Sequence, residues 1–151
     1  VTSPQNDLLD GIAQLIVSNS LATYRTDGTD YLDSETGIVF KAVNPKPDRI
    51  ITMTAYQVSD NPTMPESRLG VQLRFRGTQD PRDVDDLGDS VYSILHGLTG
   101  VWFNSVFAEQ VLRQSSITLG QDAAKRWERA DAYYVDAGLP PTSNRPTGGS
   151  W

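Results

Sequence analysis

Residues 69–98 constrain the fold more than any other stretch. In Leu69–Gly77, Val71, Leu73 and Phe75 alternate with Gln72, Arg74 and Arg76. A period of two with one apolar face is the pattern of a half-buried strand. From Asp80 the period becomes helical, and Val84, Leu87, Val91, Ile94, Leu95 and Leu98 fall on one side. Asp80 is an N-cap, Pro81 suits the first helical position, and Asp83 places charge at the positive helix end. Gly97 marks the C-terminal cap. Gly88, beside Val84 and Val91, allows the helix close approach to a sheet, whereas Gly70 and Gly77 bracket the strand and permit turns. A strand running directly into an amphipathic helix that lies back on the sheet is an α+β unit.

The rest of the chain extends that unit. Asp7–Ser20 is a helix with Leu8, Leu9, Ile12, Ala13, Leu15 and Ile16 as its apolar face and Asp7 as its cap. Residues 22–37 are turn-rich. Ile38–Val43 is a short strand, Asn44–Asp48 a two-proline turn, and Arg49–Val58 a β-branched, aromatic central strand. A loop over Ser59–Ser67 makes that strand the antiparallel neighbour of Leu69–Arg76. Val101–Phe103, Val106–Ile117 and Trp127–Asp136 supply further strands, with a turn at Asn104–Ser105. The expected fold is therefore α+β: a mixed, mostly antiparallel sheet packed against two helices. Residues 1–137 form one domain and residues 138–151 a Pro/Gly-rich C-terminal arm. That arm cannot build a core. It is either a disordered tail or a segment that orders on a neighbouring subunit, with Trp151 as anchor.

At 151 residues the chain suits one modest core. Its mean hydropathy is −0.40, and no apolar run approaches the roughly 18–20 residues of a membrane span. No basic-then-apolar leader pattern is present. There is no cysteine, so disulfides, thiolate metal sites and a cysteine nucleophile are excluded, in keeping with synthesis in a reducing cytoplasm. The net charge is −6. That balance argues against a protein that wraps DNA, yet suits a surface past which DNA slides.

The search for chemistry finds little. Asp27, Asp30, Asp33 and Glu35 raise a calcium reading, but the spacing is not that of an EF-hand loop, and a solvated loop accounts for it better. His96 is the single histidine and stands at a helix end with no nucleophile paired to it in sequence. Asp85 and Asp89 are one turn apart and could bind a divalent ion or do acid–base work. Acids in the first turns are also what a solvated helix start favours. No phosphate loop, zinc spacing or nucleophile elbow is present. No cofactor and no catalytic residue is expected.

What remains points to contacts with other chains. Arg74 and Arg76 project from the outer face of their strand. Trp127, Tyr133 and Val135 share one side of the last strand with Arg129 and Asp131, a mixed face suited to cover by a partner. The expected interface residues are Arg74, Arg76, Trp127, Arg129, Tyr133 and Trp151.

Three groups of residues together resemble the tail terminator or minor capsid proteins of long-tailed bacteriophages. The first is Leu69–Gly77 with Asp80–Leu87 and Leu95–Leu98; the second is Arg113–Ser116 with Gly120–Asp122; the third is Arg126–Arg129 with Tyr133–Val135. The resemblance runs over about residues 7–138. It implies an α+β subunit of the virion that forms a ring, usually a homo-hexamer, at the tail–neck junction. Such a ring stops tube growth, meets the tail tube protein and the head-completion or connector protein, and lets DNA pass as cargo. It implies no catalytic residues and no membrane. Two alternatives stand beside it: a head-completion or adaptor protein of the neck, and a small metal-dependent hydrolase using Asp85 and Asp89.

Overall fold

The computed structural model describes residues 3–146. In chain order the elements are α1 (Pro4–Ser18), β1 (Gly37–Phe40), β2 (Ile50–Asp60), β3 (Glu66–Arg76), α2 (Pro81–Leu95), β4 (Thr99–Phe103), β5 (Val106–Gln121) and β6 (Trp127–Gly138). The six strands form one sheet in the order β1-β2-β3-β6-β5-β4. Only β1–β2 is parallel; every other pair is antiparallel. The expected α+β class, with a mixed, mostly antiparallel sheet and two helices, is what forms.

Both helices lie on the same side of the sheet. Leu8, Leu9, Ile12 and Ile16 of α1 and Val84, Val91 and Leu95 of α2 share one buried cluster with Met53, Leu73, Phe75, Val111 and Val135. The strand alternation in 69–76 therefore has its expected outcome: Leu69, Val71, Leu73 and Phe75 are fully buried under the helices. Among the described residues no helix covers the opposite face, and only its Arg76 end lies under the 41–49 connection.

The α2 start is built as the sequence dictates. The Asp80 carboxylate accepts from the Arg82 N–H at 3.0 Å, with Pro81 in the first turn. Asp83 accepts from Thr78 N at 3.1 Å and forms an ion pair with Arg49, tying the helix start to the head of β2. Gly97 follows the His96 cap with φ of +87°, a conformation that favours glycine, and donates to the Val111 carbonyl at 2.8 Å.

Element boundaries differ from the expected ones where local chemistry intervenes. Helix α1 starts at Pro4, not at Asp7. A proline at the start loses no helical bond, so Asp7 sits in the first turn. There its carbonyl accepts from Asn104 Nδ2 at 2.9 Å and its carboxylate from the Ser105 hydroxyl, joining α1 to the β4–β5 turn. Strand β1 ends at Phe40, because Lys41 turns into positive φ (65°). Strand β5 runs on to Gln121, well past Ile117, since it stays paired with β6 as far as Trp127. Gly70 permits no turn. It lies inside β3, and a Cβ there would meet the Tyr56 ring at 2.1 Å, so its role is to seat that ring on the uncovered face.

Candidate assembly surface

Strand β6 carries most of the expected interface residues, and its register decides their fate. Val71 pairs with Tyr133, Leu73 with Asp131 and Phe75 with Arg129. In a sheet, directly paired residues point to the same face. Arg129, Asp131 and Tyr133 thus lie on the helix-covered side, not on an open one. The expectation that a partner covers this face is corrected: α2 covers it. Tyr133 is fully buried, its hydroxyl makes no hydrogen bond among the described residues, and burial pushes that hydroxyl above its ordinary range.

A buried charge needs partners, and Arg129 has three carboxylates. Its Nε and Nη2 grip Asp131, both at 2.9 Å, in a two-point pair. Nη2 also donates to Asp89 at 3.0 Å and Nη1 to Asp85 at 3.3 Å. The hydrogen bond to Asp131, set against burial, raises the guanidinium pKa beyond its already high value. Asp131 has no exposed surface and takes further support from the Ser116 hydroxyl at 2.6 Å and from Arg113 at 3.6 Å. The arginine reaches Asp85 and Asp89 by lying against the helix where a side chain is missing: a Cβ on Gly88 would stand 2.7 Å from Arg129 Cζ. Gly88 does give close approach, but to a guanidinium and not to the sheet backbone.

This arrangement engages the two carboxylates on which the hydrolase reading draws. The Arg129 guanidinium bonds both Asp85 and Asp89. His96 is likewise occupied. Its Nδ1 accepts from Arg113 N at 2.9 Å, and its ring stacks on Tyr92 with centroids 4.7 Å apart. Among the described residues, no three His, Cys, Asp or Glu side chains are grouped to hold a metal.

Arg74 and Arg76 stand on the uncovered face, as expected, but only one meets solvent. Arg76 is 3% exposed. Its guanidinium donates to the carbonyls of Asn44 (2.7 Å), Pro47 (2.8 Å) and Asp48 (3.0 Å). Desolvation, and then the nearby Arg126, lower its pKa. The sequence reading of Arg76 as outward is corrected for a specific reason. The nine residues 41–49 join two parallel strands, where a crossover usually takes a dozen or more. The Arg76 guanidinium fills the inside of that tight connection and satisfies its carbonyls.

Arg74 remains partly exposed and pairs with Glu128 at 3.0 Å. Further along the same face Arg68 pairs with Asp136 at 2.7 Å. The uncovered face thus presents two ion pairs of balanced charge, together with Gln72 and Tyr134. Trp127 is half-buried under the helices' side of the sheet. Trp151 lies outside the described residues. Of the six expected interface residues, Arg76, Arg129 and Tyr133 are committed to the subunit's own fold, and Arg74 and Trp127 retain accessible surface.

Sequence reasoning missed the Arg49–Asp83 pair and the clasp of Arg126, which bonds Asp122 and the Pro45 carbonyl. Both join residues more than thirty positions apart, or anchor a loop that alternation does not describe. No curated protein matches the chain. Residues 15–137 match a family described as "Bacteriophage tail terminator protein". The matched span runs from the last turn of α1 through every strand to the penultimate residue of β6.

Proposed function

The chain belongs to the bacteriophage tail terminator family, a family of structural tail proteins, and from that premise we propose that it assembles as a hexameric ring on the head-proximal end of the tail tube. The ring ends tube growth and presents its other side to the head-completion or connector protein, while DNA passes through the lumen. The work is done by surfaces and not by a reactive group.

The observation that carries this reading is the uncovered sheet face. Both helices pack on one side, so the other side, beyond the 41–49 connection over Arg76, is free to meet neighbours or a channel. Its arginines, Arg68 and Arg74, are neutralised within the subunit by Asp136 and Glu128. Phosphate binding needs unpaired cations, and a net charge of −6 further opposes it. Such a subunit can line a path for DNA without holding it.

Separately purified tails and capsids test the position. The protein is expected at one end of the tails, seen as a ring in electron micrographs, and absent from capsids. Finding it on capsids would instead favour an adaptor of the neck, and a monomer with no tube contact would sink both.

A further inference from the structure

Both edges of the sheet are stepped. Strand β1 covers β2 only from Ile50 to Met53. From Thr54 to Asp60, β2 is paired with β3 alone among the described residues. On the other side, β4, Leu98 and Gly97 cover β5 as far as Val111, and the His96 ring takes the Arg113 N–H. From Gln114 to Gln121, the β5 backbone is bonded to β6 alone among the described residues.

The steps are complementary. Thr54 pairs with Gln72, Gln72 with Ala132, and Ala132 with Ser115, so these four residues form one row across the sheet. The open part of β2 runs from this row toward one end of the sheet. The open part of β5 runs from it toward the other end. A copy set beside the first and shifted along the strands by half their length brings notch to notch. Strand directions agree too. Alternation through β3 and β6 makes β5 antiparallel to β2, so a neighbour in the same orientation presents its β2 antiparallel to β5.

The chemistry of the two segments fits burial. Exposed edges are ordinarily blunted by charge or proline. These two segments together hold one charged residue, Asp60, and no proline. They also hold Tyr56, Val58, Ile117 and Leu119, half of the eight large apolar side chains that the described residues leave exposed. Each segment carries a β-bulge, at Gln57–Ser59 and Thr118–Gly120, which bends a strand and adds twist. Of the two outermost strands, β4 is only five residues long and β1 is closed. Ile38 N donates to the Thr23 carbonyl, the Tyr31 hydroxyl donates to the Ile38 carbonyl, and the Phe40 carbonyl accepts from Ala42 N.

We propose that Gln114–Gln121 of one copy pairs antiparallel with Thr54–Asp60 of the next, head to tail, so that one sheet continues from subunit to subunit. This rests on the ring reading above and names its contact. A head-to-tail contact uses two different patches, so it can repeat around a ring, whereas like-with-like pairing of β5 stops at a dimer.

The absence of cysteine makes thiol cross-linking of the full chain a clean test. Tyr56→Cys is combined in turn with Ile117→Cys and Leu119→Cys, covering two registers. On oxidation at assembly concentration, one double variant is expected to give a ladder of covalent multimers. Mixed single variants should give only dimers, and each single variant alone none. A covalent dimer from Ile117→Cys alone would overturn the proposal in favour of two-fold pairing. Rings in micrographs without cross-links at any tested pair would overturn it while leaving the ring intact. Failure of the unmodified protein to assemble would remove both. As a second measurement, Ile117→Lys should raise the concentration needed for assembly by about tenfold or more with an unchanged circular dichroism spectrum. Unimpaired assembly of that variant would count against the contact.

Discussion

At the scale of single residues, the charge on Arg129 is the most consequential. Replacing it with Met leaves the buried Asp131 charge with only the Ser116 hydroxyl and the longer Arg113 contact. Breaking a buried pair from one side costs about 3–5 kcal/mol, and urea unfolding of Arg129→Met should show a loss of that order. The double change Arg129→Met with Asp131→Leu should lose less, because no buried charge is stranded. Gly88→Ala offers a sharper prediction. Helix propensity alone favours Ala by about 1 kcal/mol. The new methyl would press on a guanidinium that three carboxylates hold in place, so the variant is expected to be less stable by about 1–3 kcal/mol. A gain in stability would show that Arg129 can move aside.

The same residues show what a sequence can reveal. The alternation in β3 and the period of α2 were legible because each repeats within its own element. Arg76 and Arg129 are buried where the pattern suggests an outer face, because an arginine in an alternating strand gives no sign of whether its face is open. That depends on which strand lies beside it and where the helices settle. Arg76 faces away from the helices, yet the loop carrying Asn44, Pro47 and Asp48, 28 to 32 positions upstream, folds over it. Gly88 was the one local signal available: a glycine on an apolar helix face asks what comes close.

At the scale of elements, α2 is held at its start by Asp80 and Asp83 and along its length by the buried stripe. Asp80→Ala removes the cap and should cost about 1 kcal/mol, while Leu73→Ala beneath it should cost roughly 2–5 kcal/mol. Acid titrates the polar ties. Glu35 is held below its ordinary value of 4.5 by the Leu32 N–H and then by Arg25. Asp80 is held below 3.8 by the Arg82 side chain and then by its backbone N–H. A carboxylate with a depressed folded pKa stabilises fully above the unfolded value, and that contribution disappears as pH falls through the folded one. Melting temperature should therefore drop as pH falls below about 4. Glu35→Gln should make the decline shallower, since it removes one of the groups that must take up a proton. An unchanged slope in thermal scans would show that Glu35 is not coupled to folding.

At the scale of the whole molecule, the two-layer plan leaves one sheet face to be met from outside. Arg74→Glu places like charge beside Glu128 and reverses the charge that a neighbour meets. It is expected to weaken ring formation on tail tubes while the subunit still folds, as read by imaging against circular dichroism. Unimpaired rings would remove Arg74 from the contact. Fold class was legible at this scale because it follows from the order of periodic segments. The strand order was not. Pairing β3 with β6 is a choice among edges that no single segment announces, and that choice decides which side of β6 is buried.

That strand order also bears on when the protein can fold. Strand β6 is the last to be made, yet it lies between β3 and β5 in the middle of the sheet. Until it arrives, β1–β2–β3 and β4–β5 are two sheet fragments with no strand pairing between them. Each exposes strand edges that are safe only when paired. The central contact closes a loop over α2, β4 and β5, which is the kind of distant pairing that slows folding. A chain emerging from the ribosome therefore completes its sheet only once β6 has been made. Nascent chains stalled earlier should be open to protease and in need of chaperones.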